Sequence, residues 1–71
     1  MEWLILSEEE DGRWFGEVPS LPGVMVYGES REEAARLTLD LARRVVADRI
    51  AHGESVPEFL RQEGVLEQRV A

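Results

Sequence analysis

His52 is the single imidazole in a chain that contains no cysteine. It is therefore the one unperturbed side chain suited to moving a proton near neutral pH. His52-Gly53 also has the order expected where a helix ends, a cation near the C-terminus and then a left-handed cap, and this accounts for the histidine without catalysis. Ser7, Ser20, Ser30 and Ser55 have no evident activating base, since a nucleophilic serine needs a base, a group that orients it and an oxyanion site. Glu8-Glu9-Glu10-Asp11 offers hard oxygen ligands, but adjacent carboxylates on a turn rarely converge, and the glycine and asparagine spacing of a dedicated cation loop is missing. The cluster is expected to be a solvated turn and an acidic contact surface. Gly12, Gly16, Gly23 and Gly28 do not form a phosphate loop, because no G-x-x-x-x-G-K-[ST] run exists and the chain has no lysine. No enzyme activity, metal or cofactor is expected.

These residues belong to one small domain, residues 1–71, with an expected core over 2–53 and a C-terminal appendix over 54–71. A chain of this size buries about 60% of its unfolded surface, and its core rarely supplies more than about 3 to 5 kcal/mol. Disulfides and a structural zinc cannot supplement it, for want of cysteine and of more than one histidine. Self-association into a dimer or larger homo-oligomer is expected instead.

The net charge is -7, and it is unevenly placed. Residues 1–30 hold seven acids against Arg13 alone, whereas residues 31–71 hold eight acids and seven arginines. Such a surface disfavours direct binding to nucleic acid, whose phosphates require basic partners. Trp3, Trp14, Phe15, Tyr27 and Phe59 are accordingly expected in the core or in an interface rather than stacked on bases. No apolar run approaches the roughly 20 residues that span a bilayer, and the N-terminus lacks the basic region of a secretion signal. A cytoplasmic location is expected.

The elements are expected in the order strand, strand, strand, helix, appendix, an α+β arrangement. Trp3-Leu4-Ile5-Leu6 reads as a strand closed by the acidic turn, with Asp11-Gly12 as a hairpin signal. In Arg13 to Val18 the alternation places Trp14, Gly16 and Val18 on one face and Arg13, Phe15 and Glu17 on the other. Val24 to Tyr27 forms the third strand. Ser30 and Glu33 have the spacing of a reciprocal cap, predicting a helix over residues 31–52. Its apolar positions occupy an arc of roughly 220°, wider than a single contact stripe of about 100°, so part of it is expected to serve a second contact. Pairs four apart, Glu32 with Arg36, Asp40 with Arg44 and Arg44 with Asp48, are expected on its polar side. Ser55-Val56-Pro57-Glu58 repeats the capping spacing and predicts a short helix through Phe59 and Leu60 to Glu63, with a fourth strand or tail over residues 65–70.

Two linked stretches carry a family resemblance. Asp11-Gly12-Arg13-Trp14-Phe15-Gly16-Glu17-Val18-Pro19-Ser20-Leu21-Pro22-Gly23, followed by Gly28-Glu29-Ser30-Arg31-Glu32-Glu33-Ala34, resembles the pattern D-G-x-[YW]-x-[AG]-x-V-P-x-L-P-G … G-[DE]-[ST]-x-E-E-A of the HicB-like family. Gly53-Glu54-Ser55-Val56-Pro57 is similar to the family's G-E-x-[IV]-P, so the resemblance spans residues 2–57. Gly12, Pro19, Leu21, Pro22, Gly23, Gly28, Ser30 and Glu33 are its architectural positions.

The resemblance implies a pared-down ribonuclease H-like fold, a three-stranded antiparallel sheet followed by a long helix and a short C-terminal helix or strand. It also implies an antitoxin that binds and blocks a small basic HicA-type toxin cleaving messenger RNA. Glu8, Glu9, Glu10, Asp11 and Glu17 are the expected contacts. Full-length members add a DNA-binding domain, but only residues 58–71 follow Pro57, so promoter binding is not expected. The alternative is an orphan homo-oligomer of structural or regulatory role. A ribonuclease H-type nuclease is disfavoured, because Glu17 is the only strand-interior acid and one carboxylate cannot build a two-metal site.

Overall fold

In the computed structural model, which describes residues 3–61, three short strands precede a long helix and a final helical turn. β1 (Ile5–Glu8), β2 (Trp14–Glu17) and β3 (Met25–Gly28) form an antiparallel sheet in the order β1-β2-β3. They are followed by α1 (Arg31–Ala51) and α2 (Glu58–Arg61). The register pairs Leu6 with Gly16 and Gly16 with Val26, and pairs Ser7 with Phe15 and Phe15 with Tyr27. β1 begins two residues later than the apolar run Trp3-Leu4-Ile5-Leu6 suggests. Pairing with β2, rather than the extent of the apolar run, sets its bounds: Ile5 lies opposite Glu17 and Glu8 opposite Trp14.

α1 covers one face of the sheet. Ala34, Ala35, Thr38, Leu39, Ala42 and Val46 are buried on its inner side, and Ala35, Leu39, Ala42 and Val46 form one cluster with Leu4, Val18, Leu21 and Val24. Small residues on the helix match missing side chains on the sheet. A Cβ at Gly16 would collide with Thr38 Oγ1 and lie 3.1 Å from the Ala34 carbonyl, and one at Gly28 would lie 2.8 Å from Ala34 Cα. Thr38, the buried polar residue of this layer, is satisfied because its Oγ1 donates to the Ala34 carbonyl (2.6 Å).

The helix begins at Ser30, whose Oγ accepts from the Glu33 amide (3.1 Å). The return bond differs from the reciprocal cap expected: Glu33 Oε1 accepts from the Glu29 amide (2.9 Å), one residue earlier than Ser30. At the other end the Gly53 amide donates to Ile50 and the Glu54 amide to Arg49, two bonds that together close the last turn. On the polar side Asp40 is bridged by Arg43, three residues on, at 2.9 Å, rather than by Arg44. Asp48 faces His52.

The proline segment is two consecutive turns. The Leu21 amide donates to the Val18 carbonyl (2.9 Å) and the Val24 amide to the Leu21 carbonyl (3.0 Å), which puts Pro19 and Pro22 each at the second position of a turn. Proline is preset for that position, and Gly23 then takes φ +92°, the left-handed value a type II turn requires at its third position. Between the turns Leu21 is driven fully inside.

The C-terminal segment contributes to the core as well. Leu60 is buried with the main cluster, Val56 packs against it, and the rings of Trp3 and Phe59 meet with centroids 6.4 Å apart. α2 starts at Glu58, with the Leu60 amide donating to the Pro57 carbonyl (3.0 Å). Ser55 is therefore three residues ahead of the helix, outside the capping position expected for it. The expected strand or tail over residues 65–70 lies outside the described residues. Among the described residues no helix is long and apolar enough to cross a membrane.

Leu21→Ala is expected to cost about 2 to 5 kcal/mol of unfolding free energy, because it empties the anchor beneath the double turn. Gly23→Ala is expected to cost about 1 to 2 kcal/mol through its positive φ. Urea melts of both variants check the pair.

Candidate protein-interaction surface

The acidic segment forms the tip of the β1–β2 hairpin. The Gly12 amide donates to the Glu9 carbonyl (3.0 Å) and the Glu9 amide to the Arg13 carbonyl (2.7 Å). Gly12 has φ +88°, so Glu10-Asp11-Gly12 is a three-residue loop with glycine at its left-handed position. The loop residues Glu10 and Asp11 are exposed, as is Glu8 at the end of β1, while Glu9 is half-buried.

Asp11 differs from its neighbours because its carboxylate is already engaged. Its Oδ1 accepts from the Arg13 amide (3.1 Å) and its Oδ2 from Arg13 Nε (2.8 Å). These bonds, the backbone one first and the side-chain one second, hold the Asp11 carboxyl below its ordinary value of 3.8. The same pairing raises the Arg13 guanidinium. Arg13 also lies over the Tyr27 ring, 4.6 Å from its centroid. Glu9, Glu10, Asp11, Arg13 and Tyr27 line an open cleft of about 350 Å³. Among the described residues none of the ion pairs engages Glu8, Glu9 or Glu10, so these three are the carboxylates left to face a partner.

Glu17 is not part of this group. It ends β2 opposite Ile5 and Met25, whereas the hairpin tip leaves from the Glu8–Trp14 pair at the other end of the sheet. Three residue steps along the strand separate Glu17 from Trp14, about 10 Å. The strands carry a second acid, Glu8, which ends β1; it and Glu17 stand at opposite ends of the sheet. Among the described residues no three His, Cys, Asp or Glu side chains form a group that could hold a metal ion. His52 is exposed at the end of α1, where its Nδ1 lies 2.8 Å from the Asp48 carbonyl oxygen. That contact requires the nitrogen to carry its proton.

A second surface lies on the side of the sheet away from α1. Alternation brings Ile5 and Ser7 of β1, Phe15 and Glu17 of β2, and Met25 and Tyr27 of β3 to this face. Ile5, Met25 and Tyr27 are 44, 56 and 49% exposed, and Phe15 and Tyr27 touch ring to ring at 5.1 Å. The strand alternation placed Arg13, Phe15 and Glu17 together, but β1 and β3 are apolar at successive positions, which hides which of their residues face outward. The helix offers less spare surface than its apolar arc suggests. Leu41 and Val45 pack against the core, and the exposed large apolar residue of the arc is Ile50, 48% exposed.

The chain matches no family model, no curated protein and no solved structure.

Asp11 is a direct check on the hairpin geometry. Its carboxyl is depressed in the folded state, so the stability it contributes is complete above the unfolded value and is lost as pH falls through the folded one. An NMR titration is expected to place its midpoint below 3.8. Arg13→Gln should move it only part of the way back, because the residue 13 amide still donates. A midpoint at or above 3.8 would contradict the loop.

Proposed function

We propose that the chain is a non-enzymatic, HicB-like protein-binding module that binds and neutralises a small basic HicA-type toxin cleaving messenger RNA. The observation that carries this reading is the acidic hairpin: Glu8 ends β1, Glu9 flanks the three-residue loop and Glu10 opens it, all three outside the described ion pairs. A preformed acidic patch raises the encounter rate with a basic partner and disfavours acidic ones. Asp11 supports the patch through Arg13 more than it adds to it.

The motif residues behind the resemblance have architectural places that agree with this reading. Gly12 turns the hairpin, Pro19, Leu21, Pro22 and Gly23 build the double turn, Gly28 admits Ala34, and Ser30 and Glu33 start the helix. They hold the acidic tip at the end of a sheet braced by α1. On this reading the three-stranded sheet and long helix are taken as a pared-down ribonuclease H-like domain, and the module is assigned to the cytoplasm, where such a toxin acts. Inhibition is steric and electrostatic, by covering the toxin's basic RNA-binding surface.

Co-expression with a small basic protein encoded next to it should relieve that protein's toxicity and co-purify the two. Glu8→Gln/Glu9→Gln/Glu10→Gln is expected to slow association about tenfold at low ionic strength, with a smaller effect at high salt. Failure to co-purify and to relieve toxicity would favour the orphan homo-oligomer.

A further inference from the structure

The open face of the sheet carries a charge pattern that is complementary to itself. Leading into and along the central strand it reads Arg13, Phe15, Glu17, a cation and an anion on either side of an aromatic ring. Flanking strands add Ile5, Met25 and Tyr27, all substantially exposed. Large exposed apolar patches often mark interaction sites, and a sheet closed on one side by a helix can be closed on the other by a second sheet.

We infer that this face is covered by the same face of a second copy, with the two-fold axis lying between the two sheets, across β2 and between the paired Phe15 rings. Two copies stacked face to face can be related by an axis along β2 or by one across it. The first would set Arg13 over Arg13 and Glu17 over Glu17 of the second copy, both repulsive. The second sets Arg13 over Glu17 and Glu17 over Arg13, with Phe15 meeting its own counterpart at the centre. Isologous contacts of this kind are the commonest in soluble dimers. Arg13 is already positioned for the role: Asp11 holds its Nε at 2.8 Å and the Tyr27 ring supports its guanidinium at 4.6 Å, so little freedom is lost on pairing. The -7 charge of each copy is met at this contact by Arg13, which stands between its own Asp11 and the Glu17 of the second copy.

The face is built of three strands of four residues each, so the dimer is expected at the weak, concentration-dependent end of specific interfaces. The hairpin tip and the open face adjoin at Arg13 and Tyr27, and the two readings are told apart by Glu17→Arg and Met25→Glu, which alter the face at the end of the sheet away from the tip.

Charge reversal tests it on the full chain. In sedimentation velocity across the micromolar range, wild type should show a concentration-dependent dimer. Arg13→Glu and Glu17→Arg should each weaken it at least about tenfold, since each creates two like-charge contacts. An equimolar mixture of the two variants should restore dimerisation, because the carboxylates at positions 13 and 17 of one variant then face the guanidinium groups at positions 17 and 13 of the other.

Circular dichroism establishes that each variant is folded. Should Arg13→Glu unfold for want of its Asp11 contact, Glu17→Arg and Met25→Glu, both remote from the hairpin, carry the test with the same expected loss. A wild-type monomer throughout the range, a dimer indifferent to Glu17→Arg and Met25→Glu, or folded charge variants that fail to recover on mixing would overturn the inference. So would protection of the face only in the presence of a basic partner, which would assign the face to that partner.

Discussion

The close approach of α1 to the sheet is the contact on which the other features of this small protein depend. Gly16 and Gly28 lack the atoms that would hold the helix away, and Ala34 and Thr38 fill the space those atoms would take. Interiors this close-packed respond to a single methyl group. The contact fixes both the distance and the rotation of the helix, and rotation decides which residues enter the core. With Ala34 against Gly28 and Thr38 against Gly16, Leu39, Ala42 and Val46 are carried inward to meet Val18, Leu21 and Val24.

One covered face also defines the surfaces that remain. A three-stranded sheet has two faces, and a single long helix can close only one of them. The opposite face keeps Ile5, Phe15, Met25 and Tyr27, while the double proline turn and the hairpin mark the two ends of β2. Leu21 and Leu60 complete the core from irregular segments, so the turns act as structural plugs as well as connections. The acidic tip projects from this braced framework, and its rigidity comes from backbone bonds at Glu9, Gly12 and Arg13 rather than from burial.

Much of the architecture was legible in the sequence because local chemistry determined it. Ser30 before a run of helix formers, Gly53 after them, and proline and glycine between apolar runs each have a steric or hydrogen-bonding cause that acts over a few residues. The start of β1 was less legible, since Trp3-Leu4-Ile5-Leu6 is apolar throughout and only pairing with Glu17 sets where the strand begins. The outward set of β1 and β3 was hidden for the same reason. The separation of Glu17 from the acidic tip, and the engagement of Asp11 by Arg13, depend on register and on side-chain direction. Residue type alone does not carry that information. Function was less legible still: the acidity suggests the sign of a partner's charge, and the resemblance, not the composition, suggests the partner.

A double-mutant cycle between residues 16 and 38 tests the central contact most directly. Gly16→Ala introduces a methyl group into the space held by Thr38 Oγ1, and it should destabilise the fold by about 1 to 3 kcal/mol. In a Thr38→Ala background, with the hydroxyl and methyl removed, the same substitution should cost less, giving a coupling energy of at least about 0.5 kcal/mol. Equal costs in the two backgrounds, measured by urea unfolding, would mean that Thr38 does not press on Gly16, and the account built on that contact would be wrong.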